Sequence, residues 1–205
     1  MSVLLLCQVA DIVRPGWFVR DGVIAAQHAP RLDEPLRRAA AAMRQATESA
    51  DVTSAVRTMY KRVGIDPTKT RPSSEALLRR VRRGDELPRI NSLVDVVNWC
   101  SLESQLPFGL YDADRIHGSI ELRLGRPGEE YPGIRKDTVH VAGRLTLADD
   151  RGPFGNPTSD SARTMVTEAT TRVLVVIFAP VSIPPAVVDR VAATTAERIA
   201  EYCAR

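Results

Sequence analysis

The run VLVVIFAPVSIPP, residues 173–185, restricts the fold more than any other stretch of the chain. It is too short for the ~20 apolar residues a membrane helix needs, and Pro180 breaks it. Its β-branched residues favour a strand, RVLVVIF. The segments SIELRL, TVHVAG and RLTLAD also read as strands, with Ile120, Leu122 and Leu124 alternating onto one face. Other segments have a helical period instead. Leu93, Val96, Val97 and Cys100 form one apolar stripe, and Val187, Val188, Val191 and Ile199 form another. Strands and helices together indicate an α+β fold. With 205 residues and 44% hydrophobic content, one domain over 1–205 with its own core is expected.

The remaining elements follow from breakers and caps. Residues 3–13 and 17–24 read as strands joined by a turn at Pro15 and Gly16. The opening MSVLLLCQVADIV has no preceding basic residue, and Asp11 follows closely, so it fits a first strand better than a signal peptide. Pro35 opens a helix to about Ser49, and Asp51 caps another that ends at Gly64. Ser73 or Ser74 caps a short helix that buries Leu77, Leu78 and Val81 and stops at Gly84. Asn91 caps a helix to about Ser101, and a final helix spans 184–203. Cys7, Cys100 and Cys203 are odd in number and widely spaced, as in the reduced thiols of a cytoplasmic protein.

Charge is unevenly distributed. The net charge is only +3, but residues 61–89 hold nine Lys or Arg against four acids. In the helix there, Arg79, Arg80, Arg82 and Arg83 lie largely outside, with Arg89 just beyond. This face either binds phosphates or is an ordinary solvated helix surface.

Two polar clusters are candidates for a site. Asn91, Asp95 and Asn98 fall at i, i+4 and i+7, on one helix face opposite the apolar stripe. Such a stripe either fixes an ester carbonyl or ribose hydroxyl, or is a cap with solvated neighbours. In GPFGNPTSDSART, Gly152, Pro153, Gly155 and Pro157 mark a tight turn with exposed backbone. Asn156, Thr158, Ser159, Asp160, Ser161, Arg163 and Thr164 crowd the same segment. They either recognise an amino group, a hydroxyl or a terminal adenosine, or belong to a solvated hairpin.

Conventional catalytic motifs are missing. His28, His117 and His140 are isolated, the cysteines have no partner, and neither GxGxxG nor G-x-S-x-G occurs. The sequence therefore calls for no metal and no cofactor, and disfavours a nucleophilic or metal-dependent hydrolase. Water attack on an already activated ester remains, helped by donors that orient the carbonyl.

The helix RINSLVDVVN, the following LPFGLYDADRIHG and the later VTEATTRVL resemble the B3/4 domain of the phenylalanyl-tRNA synthetase β subunit. That family's helix reads approximately PINNVVDVTN, its next loop PLHAFDLDKLEG and its later segment VTEETRTVLLE. The likeness runs from Leu87 to Ile177, a B3/4-like core preceded by strands and helices over 1–86. It implies a mixed or antiparallel sheet flanked by helices, and a hydrolytic editing module. Asn98 falls on an asparagine of the family's editing pocket, accompanied by Asn91 and Asp95. Gly109 stands where the family has a histidine, and Val176 where it has a glutamate.

Two functions are open. One is a metal-independent aminoacyl-tRNA deacylase acting in trans. Asn98, Asp160, Ser161 and Thr164 would position ester and water, and Asn91, Asp95, Gly109, Asn156 and Arg163 would hold substrate. Arg79, Arg80, Arg82, Arg83 and Arg89 would hold the tRNA. The other is a non-catalytic module that binds tRNA, an amino acid or a synthetase. The expected partners are tRNA and an aminoacyl-tRNA synthetase, with no membrane or DNA role.

Overall fold

The structure is a computed structural model that describes residues 5–46, 50–135 and 137–204. In chain order the elements are β1 (Leu5–Cys7), β2 (Val13–Asp21), α1 (Asp33–Gln45), α2 (Ala50–Arg62), α3 (Ser73–Arg82) and α4 (Ser92–Ser104). Then come β3 (Phe108–Asp112), β4 (Ile120–Leu124), β5 (Glu130–Pro132), β6 (Thr138–His140) and β7 (Leu145–Asp149). The last are β8 (Gly152–Asn156), β9 (Ser159–Asp160), β10 (Arg172–Pro180) and α5 (Pro185–Cys203). The fold is α+β.

Strand β10 lies between β2 and β3 in a three-stranded antiparallel sheet. Its residues Val173 to Ala179 are all fully buried. Because both faces are covered, β10 is continuously apolar instead of alternating. The second sheet has the order β1-β4-β7-β8-β9, with β1 parallel to β4 and the other pairs antiparallel. Strands β5 and β6 form a separate hairpin. Helix α4 packs against α3, α5 and β3, and its expected stripe of Leu93, Val96, Val97 and Cys100 is buried. Among the described residues, no helix is long and apolar enough to cross a membrane.

Several local expectations are corrected. Strand β2 runs straight through Pro15 and Gly16, which sit opposite Phe178 and Ile177. At the edge of a sheet a proline can be placed without removing a ladder bond. The chain turns earlier instead, where Val13 N donates to Val9 O at 2.9 Å. The expected start of the first strand, residues 3–4, lies outside the described residues, as do 47–49 at the expected end of the first helix.

Helix α1 starts at Asp33 instead of Pro35, and Asp51 lies in the first turn of α2 instead of capping it. Pro72 precedes α3 with no side-chain cap, so neither Ser73 nor Ser74 plays the expected part. Leu124 and Val187, expected inside, are exposed. The segment from Gly152, expected to be a turn with exposed backbone, is strand β8, with Phe154, Gly155 and Asn156 buried. The segment matched to the family's loop begins as strand β3, buried throughout.

Candidate functional site

Helix α4 begins as its sequence requires. Asn91 is extended (φ −158°), and its side-chain oxygen accepts from Val94 N at 3.0 Å. This satisfies one of the free N–H groups of the first turn. Asp95 does not join Asn91 on an open face. It is buried, accepting from Ile90 N at 2.8 Å and from Arg89 Nε at 2.7 Å. Arg89 also donates to Ala29 O at 3.1 Å and to Asp33. Asp95 and Arg89 thus tie the start of α4 to α1, which a count of helical spacing alone does not reveal.

Asn91, Val94, Val97 and Asn98 form one wall of a cavity of about 610 Å³. Phe108 and Leu110 of β3 form the next wall, while Gly109 and Tyr111 alternate onto the strand's other face. Met165, Val166, Thr167 and Glu168 close a third side, with Gln27 donating to Glu168. Ile134 and Arg135, between β5 and β6, and Asp160 of β9 complete the lining. A smaller cavity of about 190 Å³ shares Val97, Asn98, Phe108 and Asp160 and is bounded by Ser73, Leu77 and the 156–159 turn. Asn98 and Asp160 therefore sit where two compartments meet.

Most other polar groups of the glycine-rich segment are used to build it. The Asn156 oxygen accepts from Thr158 N at 2.8 Å, Thr158 Oγ1 at 2.7 Å and Ser159 N at 2.9 Å. This closes a turn along the smaller cavity. Ser161 is buried, and its hydroxyl accepts from Arg163 N at 3.0 Å. Thr164 is fully buried against Phe154 O. Arg163 forks onto Asp149, with contacts of 2.9 and 2.8 Å. This bidentate pair anchors the segment to β7. Ser161, Arg163 and Thr164 line neither cavity. Gly109 lies at mid-strand, paired with Val176.

The expected arginine face is also occupied. Arg79 pairs with Glu75 at 3.4 Å, and Arg80 donates to Glu86 O at 2.5 Å. Arg82 donates to Ala46 O at 3.1 Å, and Arg83 to Asp85 at 3.2 Å. Glu75 is the buried centre of this cluster, meeting Arg57 at 2.6 Å and Arg71 at 3.5 Å. Hydrogen bonds from Arg57, working against burial, hold its carboxyl below the usual value.

Sequence reasoning missed Gln27, Ile134, Arg135, Met165, Val166 and Glu168, because they come from connections that only the tertiary fold brings together. Arg135 carries a local signal in the structure, a left-handed backbone (φ 50°) uncommon for a side chain of its size.

Chemically, the lining combines an amide donor and acceptor at Asn98 and a carboxylate at Asp160 with apolar surface from Val94, Val97 and Leu110. It can hold a small group that has one cationic end and one apolar body.

The chain is 34% identical over 105 residues to a phenylalanine–tRNA ligase β subunit from Cutibacterium acnes, covering 50% of this chain and 12% of that one. It is 34% identical over 97 residues to the Psychrobacter arcticus protein of that name (45% and 12%), and 32% identical over 74 residues to that of Ralstonia nicotianae (36% and 9%). The chain thus spans about a tenth of these relatives' length. A crystal structure of an N-terminal fragment of the phenylalanyl-tRNA synthetase β subunit from Pyrococcus horikoshii aligns with a TM-score of 0.47 at 12% identity. The alignment covers 97% of this chain and 49% of the fragment. The B3/4 domain profile matches residues 55–202, a range that takes in Asn91, Asn98 and Asp160 but neither Gln27 nor the first helix. The chain belongs to the B3/4 domain family.

Proposed function

We propose that this chain binds the aminoacylated 3′ end of a tRNA in the cytoplasm and hydrolyses its ester, clearing a mischarged amino acid in trans. One observation carries the reading: Asn98 and Asp160 line the same cavity together with apolar side chains. The names of the sequence relatives, tRNA ligase subunits, and the editing role implied by the family resemblance support it.

In this reading the α-ammonium of the aminoacyl group is drawn to Asp160, and the Asn98 amide N–H donates to the ester carbonyl oxygen. A water oxygen bonds to the carbonyl carbon, and the bond to the ribose 3′-oxygen breaks. The displaced oxygen takes up a proton from the attacking water, leaving a free amino acid and an uncharged tRNA. Because the ester is already activated, a few kcal/mol of orientation and carbonyl polarisation is enough, at about tenfold per ~1.4 kcal/mol. Ser161 and Thr164 contribute by shaping the turn that presents Asp160, and Asp95 by fixing the start of α4.

The test is a deacylation panel over all charged tRNAs, correct and mischarged. At least one should lose its amino acid faster with the protein than without it, and Asn98→Ala and Asp160→Ala should each slow that reaction at least ~10-fold. A panel with no accelerated member overturns the hydrolase, and retained tRNA binding would then support the non-catalytic module.

A further inference from the structure

Tyr111 lies on the face of β3 turned away from the larger cavity, fully buried, with its ring edge-on to Phe154 (centroids 5.0 Å apart, 89° between planes). Its hydroxyl reaches into a gap between two strands that exists because both neighbours are glycines. A Cβ on Gly109 would stand 2.2 Å from this oxygen, and one on Gly155 would stand 2.4 Å away. Neither position can hold any side chain while the phenol stays where it is.

Gly155 pairs directly with Asp160 across β8 and β9. Residues opposite one another in an antiparallel ladder project onto the same face. The Asp160 side chain therefore leaves the ladder on the side that holds the Tyr111 hydroxyl. Among the described residues that hydroxyl makes no hydrogen bond of ordinary geometry, and the Asp160 carboxylate lies near enough to act on it. Burial first, and then this carboxylate, push the phenol far above its ordinary range, so it stays protonated and able to donate. Tyr131 of β5 also faces Asp160, but it donates to Ser159 O at 2.6 Å. On the cavity side, the charged groups sharing the lining with Asp160 are Arg135 and Glu168.

We infer that Tyr111 is a positioning residue for Asp160. Its phenol O–H donates to the carboxylate from behind, keeps it ionised, and aims it into the cavity. The bare backbone at Gly109 and Gly155 is the seat this requires. The role rests on the hydrolytic reading above, because Asp160 is aimed there at the substrate's ammonium group.

Tyr111→Phe tests this while keeping the ring and its packing. For the aminoacyl-tRNA that the panel identifies, kcat/KM should fall about tenfold, and the acid limb of its pH profile should move to higher pH. The sign follows because a donor to an ionised carboxylate lowers its pKa, and losing the donor raises it. In an Asp160→Asn background, Tyr111→Phe should change the rate less than about twofold, because the group it acts through is gone.

A ring that only fills the core would leave the acid limb in place and give the same factor in both backgrounds, either of which overturns the inference. A second arm needs no activity. Urea unfolding of wild type, both single variants and the double variant should show coupling of at least about threefold in the unfolding constant. Additive single effects would refute the Tyr111–Asp160 contact. Coupling found in a protein that deacylates nothing would instead refute the hydrolytic reading.

Discussion

Helix α3 and the β8–β9 segment are both dense in polar residues, and the structure uses them in opposite ways. In α3 the arginines lie outside around a buried acid, and each meets an intramolecular partner. In β8–β9 the polar groups lie inside, where Asn156, Ser161 and Arg163 fold the turn and Asp160 is turned to the cavity. Density of polar residues therefore does not mark a site. What distinguishes Asp160 is its place on a cavity wall, held there by groups behind it.

The contrast can be broken by exchanging stability for activity. Glu75→Gln should cost about 2 kcal/mol, because it weakens hydrogen bonds to a charged, buried group whose arginine partners are partly exposed and screened. Deacylation per folded molecule should not change. Urea midpoints with parallel rate measurements decide this, and a variant of normal stability but lower activity would place α3 in the chemistry. The converse holds at the cavity. Asn98→Ala and Asp160→Ala should each lose at least ~10-fold in rate, with unfolding midpoints near that of the wild type.

The arginines sharpen the contrast further. Arg135 is exposed at the cavity rim, so Arg135→Ala should weaken tRNA binding several-fold and lower the slope of log affinity against log salt by about 0.9. Reversing charge at Arg79, Arg80, Arg82 and Arg83 together should weaken binding and flatten the slope by less than four such contacts, because these side chains are already engaged. Filter binding between 50 and 200 mM salt measures both, and an unchanged slope in the quadruple variant would leave α3 as solubilising surface.

The smallest effect concerns acid. The folded Glu75 carboxyl titrates below its unfolded value, so its contribution is complete above the unfolded value of about 4.3 and fades as pH falls through the folded one. The stability gap between wild type and Glu75→Gln should therefore narrow below about pH 4. A constant gap from pH 7 to pH 3 would mean that the ion pairs contribute nothing to it.

What was legible in the chain was local. Asn91 caps α4 and the Leu93 to Cys100 stripe is buried, because a cap and a helical period are properties of neighbouring residues. Asn98 and Asp160 could be singled out by their chemistry and by resemblance, and the fold brings them to one cavity. Gly155 was misread as part of a turn. It is glycine because of Tyr111, more than forty residues earlier, and no local rule carries that information. Pro15 was misread for a related reason, since only the sheet order shows that β2 lies at an edge. Asp95 shows the limit of helical spacing, which places a side chain on a face without saying that Arg89 will claim it.

The placement of β10 between β2 and β3 bears on how the molecule is made. Strand β2 is synthesised before β10 and the segments between them, yet the two pair along their whole length. On the ribosome β2 must wait for residues 22–171 before it finds its neighbour, and closing so large a loop slows folding. Until then its Trp17, Phe18 and Val19 have no sheet to join. The native pairing of β2 is therefore complete only once residues 172–180 are made, and until then its apolar side chains lack their native neighbour strand.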